Sequence, residues 1–432
     1  MSATTWLNYL TGNEQAIRQV SSNLWSLLIG GLFVISAGFA RTYRKYDLRH
    51  QPRFLLFPLA ASLASSAALF NLVYLQSWLA DLSRPAYFRA WLSFVGLFWM
   101  TAPLAWIYGV PYERFLSAAG AVKARLWSLA LVSLWRVLLM VRVLEVVVGY
   151  GVTRATLLVL LFADAVAMLA IHLTTPRNRS VGLPLLTGMG GITPKRRADV
   201  RLLQATGGCV TGLGCATLPV WIIGSLVVAA LPRSRASWTD IAVVVAPPDT
   251  GLFVFAIGSV SLWLLVLPFT QPKQRLRYRI ENLFRAGRVA EALAEMSVHV
   301  PADFPASWEP PPAGRFGHEQ GNTSLLGVFD IIRRDRTAPW LREAYLAQLK
   351  EYLGEALWYW LDDDSLLQVA GLLKQLPEGM LLARIAADAI DKLNDQVDDL
   401  HYSEEDTERF LPKPSKQRTE AIDGIRVLAA KR

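Results

Sequence analysis

Seven stretches of mainly apolar residues divide the first 270 positions, each close to the roughly 20 residues needed to cross a hydrocarbon core. They run Asn23–Ala40, Phe54–Ala80, Trp91–Val110, Leu126–Val148, Ala155–Leu173, Thr206–Leu231 and Gly251–Phe269. From Gln271 the pattern changes to charged sequence, broken by Pro, with apolar positions at helical spacing. The fold predicted is all-α: a polytopic transmembrane bundle of about seven spans over residues 1–270, followed by a C-terminal helical domain.

Within the second region, Arg275 to Phe284 reads as a basic amphipathic helix, Gly287 breaks it, and Val289, Leu293 and Met296 resume the apolar stripe. Residues 271–300 are therefore expected as a juxtamembrane helical hairpin. Pro301, Pro305 and the run Pro310 to Pro312 make 301–321 an extended, semi-rigid linker. Residues 322–432 then form the helical domain. Thr337 and Pro339 start a helix with Leu341, Tyr345, Leu349, Leu353, Leu357 and Trp360 on one stripe. Asp362 to Ser365 end it and cap the next helix, Pro377 stops that one, and Leu382, Ile385, Ile390, Leu393, Val397 and Leu400 mark another. A last short helix covers Ile422 to Ala430. The acids from Asp388 to Glu408 read as a solvated face, or as a surface for a basic partner.

Charge changes the picture by giving the bundle a direction. Lys and Arg are retained on the cytoplasmic side of a span. Alternate loops carry eighteen of them (at Arg41–Arg53, Arg114–Arg125, Arg177–Arg201 and Lys273–Arg279) against six on the other side. The N-terminus is expected outside and the C-terminal domain in the cytoplasm, at the cell membrane. The fourth segment is the weakest, being interrupted by Arg136, Arg142 and Glu145, but omitting it would put the six-charge loop outside. The first segment reads as an uncleaved anchor, because Glu14 and Arg18 stand where a signal peptide would have a basic start. The net charge of +9 sits mostly in these loops, a distribution that argues against nucleic acid. Lys273, Arg275, Arg277 and Arg279 are expected to meet anionic lipid headgroups.

The candidate chemistry lies inside the bundle. Gly149-Tyr150-Gly151 joins the fourth and fifth segments as a hairpin, and counting along both places Asp164 about midway in depth between Arg136 and Arg142, within reach of either. Arg142 and Glu145 share a face one turn apart. Intramembrane charges are costly and line a pathway or lock helices together; with no further acids to continue a relay, the lock is the favoured reading. Gly208 and Gly212 make a small-x-x-x-small face for a neighbouring helix. Asn71 and Gln76 are expected to bond across helices. Trp25, Trp78, Trp91, Trp127, Tyr150 and Trp238 fall near span ends, as headgroup anchors do.

No nucleophile elbow, zinc pair, phosphate loop or disulfide framework is readable, and Cys209 and Cys215 lie on one apolar segment. No catalytic residue, cofactor or metal is assigned. The function expected is a non-enzymatic membrane scaffold or signalling component whose cytoplasmic domain binds a protein partner. A transporter or channel subunit using the Arg/Asp cluster is the alternative, and an intramembrane enzyme without a recognisable motif a second.

Overall fold

A computed structural model describes residues 1–43, 47–48, 50, 52–79, 85–174, 197–230, 238, 244–305, 308–311, 324–334, 337–354, 363–399 and 415–431. Among these, every regular element is a helix, and the one extended contact is an isolated bridge between Asn23 and Val244. Two compact units divide the chain near Arg275.

The first unit contains α1 (Ala3–Leu10), α2 (Glu14–Ser22), α3 (Trp25–Thr42), α4 (Arg53–Leu79), α5 (Tyr87–Trp99), a 3₁₀ segment (Ala102–Gly109), α6 (Ala118–Val148), α7 (Val152–Thr174), α8 (Arg197–Ala230) and α9 (Thr250–Arg285). Among the described residues, six helical stretches are long and apolar enough to cross a membrane: α3, α4, α5 with the 3₁₀ segment, α7, α8 and α9. They fit an integral membrane protein. α6 falls outside that set because of its charges, although its 31 residues reach about 46 Å.

Local chemistry explains most boundaries. Ser117 caps α6 by accepting from the Gly120 nitrogen, and Gly149 ends it in the left-handed region at φ 73°. The third apolar stretch departs from a single helix. α5 stops at Trp99, and the chain continues in 3₁₀ geometry from Ala102. Pro103 is the cause: it supplies no N–H and disfavours α geometry at the residue before it. α3 packs closely across this break, since a Cβ on Gly30 would lie 2.7 Å from the Trp99 Cβ.

Contacts sort the loops into two ends. At one, the Met1 oxygen accepts from Asp249 N, Asn23 Nδ2 donates to Ala246 O, and Ser77 Oγ meets Tyr150 and Trp238. At the other, Tyr43 OH donates to Gly109 O, while Gln271 bonds Tyr43 O and Leu48 N. α6 begins just after Gly109 and finishes just before Tyr150, so it runs from the second end to the first. Between the ends lies an apolar core in which Trp6, Phe33, Trp106 and Phe255 pack ring to ring. Large apolar side chains such as Phe57, Trp127, Leu265 and Phe269 point outward, as a lipid-facing surface requires.

The second unit has one core. Ile280 and Phe284 of α9 join α10 (Val289–Ser297), α11 (Leu325–Arg334), α12 (Pro339–Leu353), α13 (Asp363–Gln375), α14 (Gly379–Asp399) and α15 (Lys416–Ala430). Gly287, at φ 72°, makes the turn into α10. The expected juxtamembrane hairpin is thus part of the helical domain's core rather than a separate element. The described part of the Pro-rich stretch is docked as well. Phe304 stacks on Trp308 at 4.5 Å, Gln348 donates to Pro310 O at 2.8 Å, and Tyr345 OH donates to Pro311 O. The expected stripe reappears at Leu341, Tyr345, Leu349 and Leu353, all buried. Leu357, Trp360, most of the linker and the acidic stretch from His401 to Glu408 lie outside the described residues.

Candidate functional site

α1 and α2 form a short hairpin, with Ser2 and Asn13 capping the two starts by accepting from Thr5 N and Ala16 N. This hairpin seats on the break in the third span. Tyr9 OH donates to Leu97 O at 2.6 Å and Trp6 Nε1 to Met100 O at 3.2 Å, satisfying carbonyls that the end of α5 leaves over. α6 returns donors to the hairpin. Trp135 Nε1 donates to Leu10 O at 2.9 Å, and Arg142 Nε donates to Gly12 O at 3.4 Å.

Arg142 also carries the acidic partners of the site. It pairs with Glu145 at 3.1 Å, as the helical spacing implies, and with Glu14 at 3.7 Å. Neither is Asp164. Among the described residues Asp164 pairs with no arginine; it accepts a hydrogen bond from Thr217 Oγ1 of α8 at 2.7 Å. The expected reach from Asp164 to either arginine is not realised. Asp164 turns toward α8, while both arginines turn toward the α1–α2 hairpin and α5.

Arg136 has the most unusual surroundings. Nε donates to Thr101 Oγ1 at 3.0 Å, and the guanidinium carbon lies 4.9 Å from the Phe98 ring centroid. The Thr101 hydroxyl spends its own proton on Phe98 O at 2.7 Å. Tyr9, Tyr108 and Arg41 all lie within Coulombic range of Arg136.

The helix-packing glycines differ from expectation in the same way. A Cβ on Gly208 or Gly212 would meet nothing within 4 Å, whereas one on Gly214 would lie 2.8 Å from Asp164 Oδ1 and one on Gly224 would lie 3.1 Å from Leu157. α7 therefore lies along the Gly214, Thr217 and Gly224 side of α8.

At the Tyr150 ends of α4 and α7, Arg154 is buried, donates to Gln76 Oε1 at 3.0 Å and stacks over Tyr150 at 4.6 Å. Gln76 donates onward to Ser225 O at 3.5 Å, and Asn71 accepts from Tyr87 OH at 2.8 Å, so these two residues of α4 bridge to other helices as expected. Tyr150 and Trp238 are buried at this cluster rather than placed as headgroup anchors, because each donates to Ser77 or its neighbours. Trp78 and Trp127 do remain exposed.

On the basic stretch, Lys273 and Arg275 are exposed. Arg277 is paired with Glu281 at 2.6 Å and Arg279 with Glu295 at 3.2 Å, so these two charges of the expected lipid-facing set are met locally. The loop from Arg177 to Arg196, which weighs most in the charge asymmetry, lies outside the described residues.

The sequence signals for the hairpin were present in Asn13 before Glu14, the Glu14–Arg18 spacing, and Ile17 and Val20 on one face. No protein-family model, curated protein or solved structure matches this chain.

Proposed function

We propose that the chain is a non-enzymatic multi-pass membrane protein of seven spans, N-terminus outside, whose helical C-terminal domain lies in the cytoplasm and binds a protein partner. The observation that carries the span count is the course of α6 from the Gly109 end of the bundle to the Tyr150 end. The scaffold reading is supported by how the intramembrane charges are used. Arg142 is held by Glu14 and Glu145, and Asp164 by Thr217, each between adjacent elements rather than along a chain of polar groups. The separate core of the second unit supports a module that is anchored rather than embedded. Lys273 and Arg275 are the residues proposed to touch anionic headgroups.

Affinity purification in mild detergent tests this reading. A protein partner should co-purify with the full chain and be lost when the chain ends at Arg275. No partner, or the same partners from both forms, would overturn it. A transporter or channel subunit is the second reading, favoured by the broken third span, since irregular backbone at membrane depth is tolerated where it is buried in protein or lines a cavity. Flux into liposomes that is unchanged by Arg136→Gln would count against that reading.

A further inference from the structure

The break in the third span faces a cation for which the described residues of the bundle supply no carboxylate. Arg136 projects from α6 twelve residues from its end at Val148, or about 18 Å along the axis. A guanidinium has five N–H donors. Nε uses one on Thr101, and among the described residues the four Nη donors have no hydrogen-bond acceptor and no ion pair. The Phe98 face contacts the charge without neutralising it. Arg142, two turns away on the same helix, shows the contrast, with two glutamates for its one charge.

Tyr108, on the 3₁₀ segment, lies within Coulombic range of both Arg136 and Arg41, so two guanidinium groups act on one stretch of broken helix. Trp99 and Trp106, on the same broken stretch, bury indole N–H groups with no acceptor among the described residues. Thr101 Oγ1 is already engaged by Nε and by its own bond to Phe98 O. A guanidinium whose Nη donors have no acceptor and whose charge has no carboxylate among the described residues is completed by an acceptor that carries negative charge.

We infer that Arg136 is the centre of an anion-binding site at the α5–3₁₀ break, which takes a carboxylate or phosphoryl group two-pronged on its Nη atoms. The paired Nη edge of arginine matches the two oxygens of either group. Thr101 and Phe98 fix the guanidinium plane and leave that edge available. The inference concerns binding, not flux; it goes beyond the scaffold reading and rests on the proposed crossing of α6.

The test uses the full chain in phosphatidylcholine nanodiscs, with thermal unfolding followed by tryptophan fluorescence. Sodium phosphate and sodium acetate are titrated at constant ionic strength against sodium chloride. In a separate arm, phosphatidylglycerol replaces part of the phosphatidylcholine. The expected result is a saturable rise in the midpoint with phosphate, acetate or phosphatidylglycerol. A rise with the soluble salts identifies a free anion, and a rise only with phosphatidylglycerol identifies a headgroup. Arg136→Gln should abolish it, and Arg136→Lys, which keeps the charge but loses the fork, should weaken it at least tenfold. Arg89→Gln removes an exposed cation of α5 and should leave it intact. No saturable rise with any of the three probes, or an undiminished rise in both Arg136 variants, overturns the site. Should Arg136→Gln fail to fold, Arg136→Lys alone decides.

Discussion

At Gly30 the bundle has no room for a side chain. A Cβ there would lie 2.7 Å from the Trp99 Cβ and 3.3 Å from the Met100 nitrogen, a backbone atom that cannot yield without moving the break. Gly30→Ala gains about 1 kcal/mol of helix propensity but incurs overpacking of about 1–3 kcal/mol. The expected outcome is a lower unfolding midpoint in mild detergent. Gly208→Ala and Gly212→Ala meet open space and should leave the midpoint unchanged or slightly raised; an equal loss at all three positions would refute the assignment of close packing to Gly30. Tyr345 offers a different kind of test. Burial holds its hydroxyl well above the ordinary tyrosine value, because the charged form is penalised away from water. The stability this contributes is complete below the unfolded value of about 10 and declines as pH rises through and beyond it. Tyr345→Phe removes the titration but also the bond to Pro311. The variant should be less stable than the parent at neutral pH, by about 1 kcal/mol, and lose stability less steeply in alkali. Urea unfolding across that range, with identical slopes for both proteins, would rule out this role for Tyr345.

Among elements, the α1–α2 hairpin does what a continuous span would not need. The break after Trp99 leaves carbonyls at Leu97 and Met100, and the hairpin brings Tyr9 and Trp6 to them. Arg142 fastens the hairpin turn through Gly12 O and Glu14, contacts that are about half exposed and so worth about 0–1 kcal/mol. Arg142→Gln should therefore speed amide exchange in residues 3–22 by a few fold and leave α3 unaffected. Equal exchange in both regions would mean that the arginine does not hold the hairpin. Most helices could be read from the sequence, because long apolar runs and caps such as Ser117 and Gly149 are local signals. The break was not, since Pro103 within an apolar run looks the same whether its helix kinks or changes type. The site was legible only in part. Position along a helix follows from residue counting. Rotation about the helix axis does not, and it is rotation that separates Asp164 from the arginines and selects Gly214 over Gly208 and Gly212. Docking of Pro310 and Pro311 onto α12 also depends on contacts more than thirty residues apart, which composition cannot reveal.

For the whole molecule, everything proposed about sidedness depends on α6. Hydropathy sets it apart from the other six stretches because Arg136, Arg142 and Glu145 interrupt it, yet the cost of those charges is reduced where they are engaged. Arg142 and Glu145 pair with each other, and Arg136 is turned onto Thr101 and Phe98. A helix whose charges face protein can cross where its hydropathy alone would not allow it. Leu116, just before α6, and Val152, at the start of α7, are both exposed, at 46% and 62%. With Cys209 and Cys215 replaced by serine, Leu116→Cys and Val152→Cys, made one at a time, should react with a membrane-impermeant maleimide from opposite faces of a sealed vesicle. Reaction of Val152→Cys from the side opposite the C-terminal domain and of Leu116→Cys from the same side would support seven spans with the N-terminus outside. Reaction of both from one side would remove α6 from the membrane. That result would reverse the sidedness of either the N-terminal hairpin or the C-terminal domain. It would also leave Arg136 outside the hydrocarbon, where the absence of a carboxylate partner would no longer call for an anion.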